Sequence, residues 1–108
     1  MAPKAIIPRN LALKDIEDAV DYYAREVGLQ VALGYVEDLQ NVFELIASHP
    51  ASGSLRYSYE IGLPGLRSVQ FKRHPYLIFY LEQTDHIDVW RVLHAKVDIP
   101  AWLQNPNS

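Results

Sequence analysis

The side chains able to do chemistry in this sequence are four histidines, His49, His74, His86 and His94, and the cations that follow residue 66, namely Arg67, Lys72, Arg73, Arg91 and Lys96. The histidines lack metal-ligand spacing, so no metal is expected. Cysteine is absent, which excludes disulfides, thiolate metal sites and thiol nucleophiles. There is no glycine-rich phosphate loop and no Ser/His/Asp arrangement, so no cofactor is expected. What is left is proton transfer by a histidine and contact with anions by arginine or lysine. Each candidate also has a plain structural reading. His94 ends an apolar run, where satisfying a backbone or carboxylate group is the commoner role. Arg91 alternates with Val89 and Leu93, as a paired arginine under the helices would, held by a helix acid. Arg67 shares a face with Val69 and Phe71, where pairing and target contact are equally open. Lys72, Arg73 and His74 form a polar hairpin tip. His49 stands before Pro50 at a helix stop.

Most of these residues lie on one stretch, LRSVQFKRHPYLIFYLEQTDHIDVWRVLH, from Leu66 to His94. Two polar breaks, Lys72–Pro75 and Gln83–Asp85, split it into apolar runs, which predicts an antiparallel meander of strands at 66–72, 75–83 and 86–93. Along the middle run Tyr76, Ile78 and Tyr80 point one way, and Leu77, Phe79 and Leu81 the other. Both faces are apolar, so this strand should be central and covered on two sides.

The upstream half supplies one cover. Residues 4–8 form a short apolar run ending in Pro8, an edge strand added to the sheet. Asn10 stands where an N-cap belongs. Ala12, Ile16, Ala19/Val20, Tyr23 and Val27 recur at helical spacing and predict a helix over 11–27, ended by Gly28. Asp15, Glu17, Asp18, Asp21, Arg25 and Glu26 make its solvated face. A second stripe, Ala32, Tyr35/Val36, Leu39, Val42/Phe43 and Ile46, predicts a helix over 30–48 stopped by Pro50. The short link makes the two an antiparallel hairpin. Arg56–Glu60 reads as extended. Residues 97–103 read as a short helical turn with Pro100 at its first position. Its Ile99, Trp102 and Leu103 are the only apolar group left for the other sheet face, with Trp102 as a lid. Gln104–Ser108 reads as a frayed tail. The expected fold is α+β: strand, helix, helix, three-stranded meander and a C-terminal helical turn, the helical hairpin packed on an antiparallel sheet.

The chain is expected to be one domain over residues 1–108. With 49% hydrophobic and 21% charged residues it is globular rather than disordered. Residues 1–50 hold four basic against eight acidic groups and residues 51–108 six against five, within a net charge of −3. A dedicated nucleic-acid binder carries a basic surplus, so direct sequence-specific binding of nucleic acid is not expected. A local basic edge on the sheet is compatible with this balance. No apolar run approaches the length that crosses a bilayer, and the N-terminus lacks a basic region followed by an apolar one. The expectation is a cytoplasmic protein without membrane contact.

Four stretches, in order and spacing, carry a family likeness: Leu45-Ile46-Ala47-Ser48-His49-Pro50, Gly65-Leu66-Arg67-Ser68-Val69, Tyr76-Leu77-Ile78-Phe79-Tyr80, and Arg91-Val92-Leu93-His94 followed by Asp98-Ile99-Pro100. Over residues 4 to 103 the chain resembles the ParE branch of the RelE/ParE toxin superfamily of bacterial type II toxin–antitoxin systems. After His94 it departs from the pattern: the family often reads Gly-Ala-Arg-Asp, and here Ala95-Lys96-Val97-Asp98 stands, with the basic group moved one place.

The resemblance implies a toxin neutralised by a ParD-type antitoxin that wraps around it, with Tyr23, Tyr35, Leu39 and Phe43 of the helix stripes as candidate contacts. It also implies two possible poisons. ParE members are associated with inhibition of DNA gyrase, and RelE-type cousins cut messenger RNA on the ribosome. RNA cleavage needs a group to activate the 2′-hydroxyl, cations for the phosphate and an acid for the leaving oxygen. Where the RNA-cutting cousins carry a phosphate-binding arginine on the middle strand, this chain has Leu77, flanked by Phe79 and Leu81. His94 falls where some cousins place their acid. The missing cation favours a gyrase-directed binding poison, with Arg67, Lys72, Arg73, Lys96 and Trp102 as candidate target contacts. The alternative is a ribosome-dependent ribonuclease using His94 with Arg67 or Arg91. A further alternative is a non-toxic family member that only binds its antitoxin.

Overall fold

The computed structural model describes residues 2–104. Its elements are β1 (Ala5–Pro8), α1 (Asn10–Glu26), α2 (Leu29–Ser48), a single 3-10 turn (Pro50–Ser52), α3 (Arg56–Ile61), β2 (Arg67–Gln70), β3 (Tyr76–Glu82), β4 (His86–His94) and α4 (Ile99–Leu103). The expected strand–helix–helix–meander order is present, with ends moved by one or two residues. Residues 105–108, most of the expected tail, lie outside the described part.

The sheet is ordered β1-β4-β3-β2. The meander is antiparallel as expected, but β1 pairs parallel with β4, so the sheet is mixed. Direction follows from connection: β1 runs into α1 within two residues, and α1 and α2 carry the chain over one face as a crossover. Val27 and Gly28 link the helices, and both donate their N–H to Tyr23 O, at 3.0 and 2.8 Å. Arg9, in extended conformation, is the N-cap of α1, and Asn10 is its first helical residue.

The helical hairpin covers one face through Ala12, Ala19, Tyr35, Leu39, Val42 and Ile46, packed on Phe71, Tyr76, Ile78, Tyr80, Ile87, Val89 and Val92. Fully burying each such branched aliphatic stabilises by about 1.5–3 kcal/mol, so this layer carries most of the fold. The opposite face gathers Leu66, Phe79, Leu93, Ile99 and Leu103, with Tyr57, Ile61, Leu63, Leu77, Leu81, Trp90 and Val97 against them. Thus α3 shares the second cover with residues 99–103, which are not its sole source, contrary to expectation. Trp102, expected as the lid, is 47% exposed.

Arg56–Glu60 is helical rather than extended. Ser54 Oγ accepts from Arg56 N–H at the start, Gly62 in the left-handed region (φ 67°) ends the turn, and Tyr57 and Ile61 share the buried side. A second correction concerns β4. Phe79 pairs with Arg91 while Tyr80 pairs with Val89, so Trp90 is an extra, bulged residue. The bulge puts Val89 and Leu93 on opposite faces, against the alternation expected of them.

Candidate functional site

The register of β3 decides whether the nuclease candidates can meet. Arg67 pairs with Tyr80 and His94 with Tyr76, four residues further back along the same strand. At about 3.3 Å per residue they lie at opposite ends of β3, roughly 13 Å apart along it, and on the two strands flanking it. Arg67 donates to Gly53 O at 2.8 Å. Arg91 is 3% exposed. Its Nε and Nη2 each reach an Asp15 carboxylate oxygen at 2.8 Å, and its Nη1 donates to Trp102 O at 3.1 Å. The helix acid expected for Arg91 is therefore Asp15, which also accepts from Val92 N–H beyond the end of β1. A guanidinium so committed has little left for a phosphate. His94 is partly buried, stacks edge-on against Tyr76 with centroids 5.1 Å apart, and accepts Lys96 N–H at Nδ1.

The other basic candidates converge. Ala95 N–H donates to Pro75 O, which brings Lys96 beside the β2–β3 tip bearing Lys72 and Arg73. All three side chains are exposed, and together they make a basic rim at the Tyr76 end of the sheet. Arg67, at the other end, is not part of it. The tip is held by Asp38, a buried acid inside the apolar stripe of α2 that the sequence pattern does not single out. Its carboxylate accepts the N–H groups of Lys72, Arg73 and His74 and the His74 ring, at 2.8–3.2 Å. This grip draws residues 72–74 out of the ladder and ends β2 at Gln70. Burial pushes the Asp38 carboxyl up, but bonds from His74, Arg73 and Lys72 outweigh it and hold it below its ordinary value. The signal available in sequence was one carboxylate interrupting the apolar stripe between Tyr35 and Val42.

Next to the rim, a cleft of about 190 Å³ opens between α1, the end of β4 and α4, with Asp18, Tyr22, Tyr76, His94, Val97 and Trp102 in its lining. The Tyr76 hydroxyl is pushed up to about 12 by burial and by neighbouring Tyr23 and Tyr22. Burial drives Tyr35 higher still, and its hydroxyl finds no partner among the described residues. Neither phenol supplies a base near neutral pH.

Of the residues offered for antitoxin contact, Tyr35 and Leu39 are sealed between α2 and the sheet, and Tyr23 and Phe43 are partly buried against the same core. The apolar side chains that the hairpin leaves open are instead Leu13, Tyr22, Val27, Leu29, Leu33 and Leu45. Among the described residues no cluster of three or more His, Cys, Asp or Glu could hold a metal, and no helix is long and apolar enough to cross a membrane.

The helical hairpin on a four-stranded mixed sheet, backed by two short helices, is an α+β arrangement consistent with the RelE/ParE-like fold. Among solved structures, a chain of the chromosomal ParDE toxin–antitoxin system from P. aeruginosa matches with a TM-score of 0.71 and 18% identity, over 86% of this chain and 97% of that one. A comparison with curated proteins finds no match. The model of the family described as ParE toxin of type II toxin-antitoxin system, parDE, matches residues 6–99, and the chain belongs to that family.

Proposed function

We propose that this ParE-type toxin arrests growth by binding DNA gyrase, without making or breaking a covalent bond, and that a ParD-type antitoxin neutralises it. The observation that carries this reading is the fate of the cations. Arg91 is consumed by Asp15, and Arg67 pairs four residues along β3 from His94; by the family resemblance, Leu77 stands where RNA-cutting cousins carry a phosphate-binding arginine. A ribonuclease would need these groups within hydrogen-bond reach of one phosphate. Lys72, Arg73 and Lys96, by contrast, are exposed on the rim at the Tyr76 end of the sheet, as contacts for a macromolecular target would be. Arg67 makes the weakest of the five candidate contacts.

The test is induction of the chain alone in bacteria, with separate readouts of DNA breaks and of mRNA integrity at translating ribosomes. DNA breaks and filamentous cells with intact transcripts are expected. Codon-periodic mRNA cuts that disappear in His94→Ala would establish the ribonuclease instead. Unaffected growth would leave a family member that only binds its antitoxin.

A further inference from the structure

The cleft between α1 and α4 combines half-exposed aromatic walls with a weakly paired carboxylate. Its walls carry two aromatic rings, Tyr22 at 50% exposure and Trp102 at 47%, large apolar groups left half in water. Its mouth carries Asp18, whose only ionic partner among the described residues is the exposed Lys14 at 3.3 Å, one turn away on the same helix. Such a surface pair holds its carboxylate weakly and releases it readily. Asp15, deeper in the cleft, is neutralised by Arg91, so Asp18 sets the sign of the opening.

At about 190 Å³ the cleft is smaller than the ~300 Å³ and upward of sites for drug-sized ligands, and suits one long side chain. We infer that it receives an arginine of the antitoxin, its guanidinium at Asp18 and its stem between Tyr22 and Trp102. Aromatic walls and a carboxylate suit a planar cation, which stacks and hydrogen-bonds at once. Charge argues against other occupants. On the α1 wall Asp18 and the exposed Glu17, Asp21 and Glu26 outnumber Lys14 and Arg25, so the same wall of a second copy is repelled and a cation is drawn to that side of the cleft. The inference rests on the antitoxin reading above, because that reading supplies the partner.

The experiment measures affinity between the full chain and the antitoxin encoded beside it, for wild type, Asp18→Asn, Asp18→Arg and Tyr22→Leu. Both positions lie on the exposed side of α1, and unchanged circular dichroism shows that the variants fold. Asp18→Asn and Tyr22→Leu are each expected to weaken binding about tenfold, and Asp18→Arg more. In a scan of changes to Asp along the whole antitoxin, one at an arginine is expected to restore affinity for Asp18→Arg alone. If wild type binds tightly and the variants bind equally well, the inference is wrong while the antitoxin reading stands. The inference is equally wrong if the rescuing position is a lysine or an apolar residue. If wild type does not bind at all, the antitoxin reading fails first.

Discussion

Removing the Arg91 side chain should damage the fold far more than a surface arginine would. In Arg91→Ala, Asp15 keeps only the Val92 N–H at 3.0 Å, and its buried charge loses both guanidinium bonds. Breaking one side of a buried, doubly hydrogen-bonded pair costs about 3–5 kcal/mol. Against the ~5–15 kcal/mol that holds a domain folded, that is a large share. At ~4–8 °C per kcal/mol, Tm should fall by at least about 12 °C. Asp15→Ala should cost a similar amount, since it strands the guanidinium with only Trp102 O. The double variant Asp15→Leu/Arg91→Met removes both charges and keeps the volume. It leaves mainly the Val92 N–H unsatisfied, a loss of about 1–3 kcal/mol. The two changes should therefore be strongly non-additive. Urea unfolding of wild type, Asp15→Leu, Arg91→Met and their double variant, followed by circular dichroism, measures the coupling. Additive losses, or single losses under about 1 kcal/mol, would refute the account of this pair as a buried structural tie.

Further predictions follow from the same contacts. Asp38 is held below its unfolded pKa of about 3.9, so its stabilisation is present above that pH and is lost as pH falls through the folded value. The stability gap between wild type and Asp38→Asn should therefore be largest near neutral pH and shrink in acid, as read by urea midpoints across that range. Gly53→Ala would place a Cβ 2.6 Å from Tyr80 Oη and 2.9 Å from Arg67 Cβ, and should lower stability by about 1–3 kcal/mol in the same assay. His94→Ala should leave growth inhibition almost unchanged in a viability assay, whereas loss of a catalytic acid would cost about 10²–10⁴ in rate.

The helices and the meander were legible in sequence because burial imposes a period. Ala12, Ile16, Ala19 and Tyr23, then Ala32, Tyr35, Leu39, Val42 and Ile46, mark faces that pack on the sheet. The same stripes could not tell that Tyr35 and Leu39 are used up inside the domain, since periodicity marks an apolar face without saying what covers it. Trp90 gave no warning of its bulge, because one inserted residue leaves the local composition of a strand intact. Arg56–Glu60 alternates like a strand, and its helix follows from Gly62 and from Tyr57 and Ile61 finding the second core. For the site, Arg91 pairing with a helix acid was legible from its place in an apolar run. The separation of Arg67 from His94 was not, because it depends on strand register. Asp38 and Asp15 looked like ordinary helix acids until the sheet edge and the hairpin tip were brought against them.

The central claim, a toxin that binds gyrase and does not cut RNA, is tested most directly by DNA supercoiling with purified gyrase and the purified chain. The account predicts inhibition that antitoxin reverses and that Lys72→Glu/Arg73→Glu weakens. Full supercoiling activity under excess toxin, from a preparation that cuts mRNA on translating ribosomes, would contradict it.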